Sequence, residues 1–233
     1  MIYVLSDIHG NERRFNSILE QIHLQPQDTL CILGDVVDRY PGGIRLLRRI
    51  MAMPNAKMVL GNHEYMMLRA LGYPRDDNYD DGRAMDHWYR NGGDLTYARW
   101  KRTRKAVRQE IIDYLHSLPL SLDFQVNGTD YKLVHAAPPE AYDPTDTKYK
   151  IPIYFSIWKR YGRDDTCPGD YTLIFGHTPT EYFQDNIPMD IWKKDNLIGI
   201  DCGCCYPEGD PKGRLACLRL DDGKIFYSRE GGS

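Results

Sequence analysis

Along residues 1–70, short apolar runs that stop on a polar residue or glycine alternate with segments whose apolar residues recur every three to four places. Ile2–Ser6 reads as a strand, and Phe15, Ile18, Leu19 and Ile22 follow the i, i+3, i+4, i+7 spacing of an amphipathic helix. Leu30–Leu33 is a second, buried strand that ends at Gly34. Behind it Ile44, Leu47 and Met51 share a helix face, with Pro41-Gly42-Gly43 setting the helix start. A third unit follows at once, with Lys57–Leu60 as strand, Gly61 as turn, and Asn62-His63-Glu64 opening a helix through Tyr65, Met66 and Leu68. Such repeats predict an α/β protein in which parallel strands and right-handed crossovers bring the strand-to-helix junctions to one sheet edge.

The pattern changes over residues 72–118. Asp76-Asp77, Asp80-Asp81 and Asp86 make an acidic loop, and six basic residues stand between Arg99 and Arg108. This stretch is expected to be a helical cap or insertion within one domain spanning 1–233, anchored by Trp88, Tyr89, Leu95, Tyr97 and Trp100. Its charge runs are expected to be solvated faces. After Pro119, Leu120, Leu122, Phe124 and Val126 alternate, and Asn127-Gly128 predicts a hairpin to a strand through Tyr131 and Leu133 into His135. A helical segment includes Ser156–Arg160, Tyr171–Phe175 is a strand ending in Gly176-His177, and Leu197–Asp201, Arg214–Leu220 and Lys224–Ser228 complete the set.

Composition narrows the class. A net charge of -3, from 30 basic and 33 acidic side chains, carries no general nucleic-acid-binding signature. No membrane partner is expected. The short N-terminal apolar run without a basic flank fits a cytoplasmic protein. Six cysteines in 233 residues are expected to stay reduced, and Cys202-Gly203-Cys204-Cys205 lacks the paired C-x-x-C spacing of structural zinc sites.

The chemistry gathers at the strand ends. Asp7, His9, Asp35, Asn62, His135 and His177 form an oxygen-and-imidazole set suited to two divalent first-row ions such as Mn, Fe, Zn or Ni. Taken singly, each has an ordinary explanation: Asp7 as a helix cap, Asp35 as a structural partner of Arg39, a histidine as a hydrogen-bonded loop residue. The ordered set points to metal.

Asp7-Ile8-His9-Gly10, Gly34-Asp35-Val36-Val37-Asp38-Arg39 and Gly61-Asn62-His63-Glu64 resemble the three signatures of the phosphoprotein phosphatase (PPP) family of metallophosphoesterases. His135 and Gly176-His177-Thr178 are similar to its two trailing histidine motifs. Asn91-Gly92-Gly93, Trp158-Lys159-Arg160 and Ile200-Asp201 resemble the compact bacterial and phage lambda-type members. The chain departs from the family at His135-Ala136-Ala137, where eukaryotic members have His-Gly-Gly, and at Asp201-Cys202-Gly203, where many have Asp-Thr-Gly.

The resemblance implies a calcineurin-like metallophosphoesterase fold, a central β-sandwich of mixed sheets flanked by helices. It implies one ion on Asp7, His9 and Asp35, and another on Asp35, Asn62, His135 and His177, with manganese the leading candidate. It further implies His63 as general acid, Asp38 as its orienting partner, and Arg39 and Arg160 as holders of the phosphoryl oxygens. The resemblance also implies in-line attack by a metal-activated hydroxide. The expected activity is hydrolysis of phosphoserine and phosphothreonine in proteins, with small aryl phosphates also accepted. The alternatives are a symmetrical diadenosine tetraphosphate hydrolase, which residues 72–118 would decide, and a non-catalytic metal-binding scaffold.

Overall fold

The computed structural model describes residues 1–75 and 82–229, so the acidic pairs at 76–77 and 80–81 lie outside the described residues. Two five-stranded sheets face each other. The first has the order β10-β9-β1-β2-β3, with β1 (Ile2–Leu5), β2 (Thr29–Ile32) and β3 (Ala56–Met58) parallel, and β9 (Ala216–Arg219) and β10 (Ile225–Tyr227) antiparallel. The second has the order β4-β5-β6-β8-β7. Its centre, β5 (Thr129–Val134), β6 (Thr172–Phe175) and β8 (Leu197–Gly199), is parallel, while β4 (Ser121–Val126) and β7 (Trp192–Lys194) pair antiparallel at its edges.

Side-chain alternation along each strand sorts the apolar residues into layers. Val4, Cys31 and Leu33 point between the sheets to meet Leu133, Ile174 and Ile198. Tyr3, Leu5, Leu30 and Ile32 point the other way, onto α1 (Glu12–Ile22), α2 (Gly43–Met51) and α3 (Asn62–Ala70). On the outer face of the second sheet Leu173, Phe175 and Leu197 pack with Phe155 of α7 (Pro152–Trp158). The result is helices, sheet, sheet, helices.

The segment expected to form a cap contains α4 (Ala84–Arg90), α5 (Asp94–Lys101) and α6 (Lys105–Ser117). Trp88, Trp100, Ile111 and Leu115 join the same buried cluster as β1 and β2. Tyr89 and Leu95, expected as anchors, are instead exposed, at 42% and 41%. Each sits on the solvent side of a short helix whose inward positions are taken by Trp88 and Thr96.

Candidate active site

Each parallel strand delivers its chemistry at its C-terminal end. β1 leads into Asp7 and His9, β2 into Asp35 and Asp38, and β3 into Asn62 and His63 at the start of α3. β5 leads into His135, β6 into His177 and β8 into Asp201. The residues therefore converge from two sheets across the seam between them, rather than along one sheet edge as the first three units alone had suggested.

The loops are stitched side by side. His9 N donates to Asp35 O (2.9 Å), Gly10 N to Val36 O (2.7 Å), and Gly176 N to His135 O (2.9 Å). Among the described residues, six of the nine non-glycine residues with positive φ are Asp7, His9, Asp35, Asp38, Arg39 and His177. L-residues reach this left-handed region at a cost, so its clustering here marks backbone held in place by its surroundings. Gly34, at φ 85°, approaches Gly61 so closely that a Cβ would lie 2.6 Å from the Gly61 Cα. Glu64, fully buried, fixes the loop after Gly34: its two oxygens accept the amides of Asp35 (2.8 Å), Val36 (2.8 Å) and Val37 (3.2 Å).

The side chains meet around Asp35. Its Oδ2 lies 3.8 Å from the Nε2 atoms of both His9 and His63, and its Oδ1 lies 3.6 Å from His135 Nε2. Ligand atoms of His9, Asp35 and His63, and those of Asp35, His135 and His177, lie within 4.8 Å of one another. The imidazoles are oriented from behind. His9 Nδ1 faces Val37 O (3.2 Å) and His135 Nδ1 faces Leu33 O (2.6 Å), which places a proton on Nδ1 and leaves Nε2 a free lone pair. His135 Nε2 then meets the Asn62 amide oxygen at 2.8 Å, two acceptors converging on one point, and the buried Nε2 of His177 has no hydrogen-bond partner among the described residues. A shared cation relieves both arrangements, so the donor set fits divalent metal.

Electrostatics agree with the geometry. Burial raises the carboxyl of Asp7 well above its usual range, with Asp201 and Asp35 adding repulsion; burial does the same to Asp35, beside Glu64. Burial holds His9, His63 and His177 well below the usual imidazole value. Crowded carboxylates and neutral imidazoles call for positive charge other than protons.

His63 faces two ways. Its Nε2 looks toward Asp35, while its Nδ1 lies 2.7 Å from Asp38 Oδ2. That oxygen also accepts from Trp88 Nε1 (2.8 Å), and the Asp38 amide donates to Thr96 Oγ1 (2.9 Å). Burial pushes the Asp38 carboxyl up to about 7, against the hydrogen bonds that favour its charged form.

Arg39 and Arg160 both line the cleft, of about 340 Å³, that opens on these groups. Arg160 lies beyond the end of α7 at Trp158, and its Nη1 donates to His177 O at 3.1 Å. Arg39 is bound through Nη1 to Cys205 Sγ (3.2 Å), and its amide donates to Gly92 O (3.0 Å). It does not ion-pair with Asp35, and the cap of α1 is Asn11, not Asp7. Asp201, Glu64 and Cys205 stand in segments noted in the sequence, but the sequence reading gave none of them a role in the site. Asp201 carried a signal, since Leu197–Asp201 repeats the device of an apolar strand followed by a carboxylate.

A family model for calcineurin-like phosphoesterases matches residues 1–203, and the chain belongs to that family. It is a metallophosphoesterase, of a family that hydrolyses phosphoesters with divalent metals. Among curated relatives, a symmetrical bis(5'-nucleosyl)-tetraphosphatase of Erwinia tasmaniensis is 38% identical, covering 96% of this chain and 95% of its own. Serine/threonine-protein phosphatase 2 of Salmonella typhimurium is 28% identical over 78% of this chain and 81% of its own. Among solved structures, a protein serine/threonine phosphatase from Saccharomyces cerevisiae superposes with a TM-score of 0.60, at 14% identity, over 100% of this chain and 80% of that one.

Proposed function

We propose that the chain is a dinuclear-metal phosphomonoesterase acting on phosphoserine and phosphothreonine in proteins. Asp7, His9 and Asp35 hold one ion and Asp35, Asn62, His135 and His177 the other; manganese is the proposed metal, and Fe, Zn or Ni suit the same donors. A bound pair supplies Lewis-acid polarisation of the phosphoryl oxygens and a nucleophile at neutral pH. Arg39 and Arg160 grip the phosphoryl group with planar guanidinium forks. His63 protonates the leaving alkoxide from Nε2, while Asp38 orients its ring and favours the imidazolium.

The observation that carries this reading is the cation count of the cleft. Arg39 and Arg160 are the only Lys or Arg among the described residues that line it, enough for one phosphoryl group but sparse for a tetraphosphate chain. Asn91 alone represents residues 72–118 in that lining, so the described part of this segment leaves the cleft open to a protein-borne phosphate.

Symmetrical hydrolysis of diadenosine tetraphosphate is the second reading. It draws on the near-full-length match to tetraphosphatases and on Trp158, Tyr182 and Tyr206 at the cleft, rings on which a base could stack. A panel of phosphopeptides, aryl phosphate and dinucleoside polyphosphates on manganese-reconstituted protein separates them. Phosphopeptide turnover is expected. Rapid ADP formation with negligible phosphopeptide turnover would overturn the proposal.

A further inference from the structure

A second hollow, sharing no lining residue with the cleft, lies where α2, α5 and the start of α6 meet. It measures about 230 Å³ and is lined by Arg45 and Arg48 of α2, Arg99 of α5, and Arg102 and Arg104 of the loop into α6. The chain carries more acids than bases, 33 against 30, yet among the described residues no Asp or Glu lines this hollow. Arg45 is held by Glu12. The guanidiniums of Arg48, Arg99, Arg102 and Arg104 make no hydrogen bond or ion pair with any described residue.

Glu12, which also acts electrostatically on Arg99, is one carboxylate beside five guanidiniums; the remaining repulsion is unfavourable, and an anion seated among them offsets it. The local backbone adds to the field. The first turn of the 13-residue α6 contains no acid, and its N-cap position, Arg104, provides no side-chain cap, so amide dipoles open beside the arginines.

We propose that this hollow binds a compact oligophosphate anion. Four unpaired guanidiniums exceed the charge of roughly two that a single phosphate group carries. They present planar forks to several oxygens at once, a geometry that suits successive phosphoryl groups. The limited volume suits a short chain of phosphates, whether free or at the end of a nucleotide.

Arginine modification by phenylglyoxal, located by peptide mass spectrometry on the metal-loaded chain, tests this. Excess Mg²⁺ keeps the probes from stripping the metal centre. Tripolyphosphate is expected to slow modification of Arg48, Arg99, Arg102 and Arg104 by about tenfold or more, with Arg229 unaffected, while sulfate at matched ionic strength does neither. Equal protection by ATP would assign the phosphate chain of a nucleotide as ligand; protection by tripolyphosphate alone would assign the free anion. Slowing confined to Arg39 and Arg160, or equal slowing by sulfate, would overturn the proposal. In a second arm, Arg48→Gln/Arg102→Gln should weaken tripolyphosphate binding by about tenfold or more and leave p-nitrophenyl phosphate turnover unchanged. Unaltered affinity in that variant would also overturn it.

Discussion

Trp88→Phe removes a single hydrogen bond from the proposed acid. The indole is fully buried, and its Nε1 donates to the same Asp38 oxygen that lies 2.7 Å from His63 Nδ1. Phenylalanine keeps an aromatic ring in the site but leaves that oxygen one donor short. A hydrogen bond to a charged group contributes about 1.5–3 kcal/mol, and about 1.4 kcal/mol corresponds to one pKa unit, so the Asp38 carboxyl should rise by about 1–2 units.

The sign follows from which form loses support. The donor stabilises the carboxylate, its removal favours the protonated acid, and protonated Asp38 no longer holds the His63 imidazolium. Activity should therefore fail at higher pH than in the unsubstituted protein, with the acid limb of kcat/KM displaced upward by about 1–2 units. Because Asp38 Oδ2 lies 2.7 Å from His63 Nδ1, the limb belongs to the pair. The assay is a pH–rate profile on a phosphoserine peptide, whose poor leaving group needs the acid, with thermal unfolding as the control for folding. An acid limb that stays in place in a folded variant would refute the coupling.

Three further outcomes follow from the same geometry. His63→Asn should lower kcat for alkyl phosphates by about 10²–10⁴ while metal content, measured by mass spectrometry, stays the same; unchanged turnover would remove His63 from the acid role. Glu64→Gln leaves backbone amides of the Asp35 loop facing an amide that can only partly accept them, and urea unfolding should show a loss of about 2–4 kcal/mol. Gly176→Ala would drive a methyl group into Ser6 Oγ and Asp7 Oδ2, and metal binding followed by calorimetry should weaken sharply; retained affinity would mean that the loop yields at no cost.

The strand-to-helix units of residues 1–70 were legible because each has a local signature: an apolar run, a glycine, then helical periodicity. The candidate site residues stood out for a related reason, since polar groups placed directly after an apolar strand have few structural uses. What sequence reasoning missed depends on tertiary partners. Trp192–Lys194 forms a strand because it returns beside Leu197–Gly199 through Asp195, at φ 48°, although two lysines obscure its pattern. Arg14 is fully buried because its guanidinium reaches the carbonyl oxygens of Cys204 (2.9 Å) and Tyr206 (3.2 Å), some 190 residues away. Tyr89 and Leu95 are aromatic and aliphatic like their buried neighbours, and only helix orientation separates them.

The seam between the sheets also sets when the protein can act. His177 N reaches Asp7 Oδ2 across 170 residues of chain, and His135 Nδ1 reaches Leu33 O across 102. Neither contact exists until both sheets have formed and docked, and contacts of such separation are closed late, against the entropy of the intervening loops. A chain emerging from the ribosome carries the first three motifs long before the histidine that completes the set. On the ligand set proposed above, turnover would therefore be a readout of finished folding, because the two sheets must dock before His135 and His177 join Asp7 and Asp35.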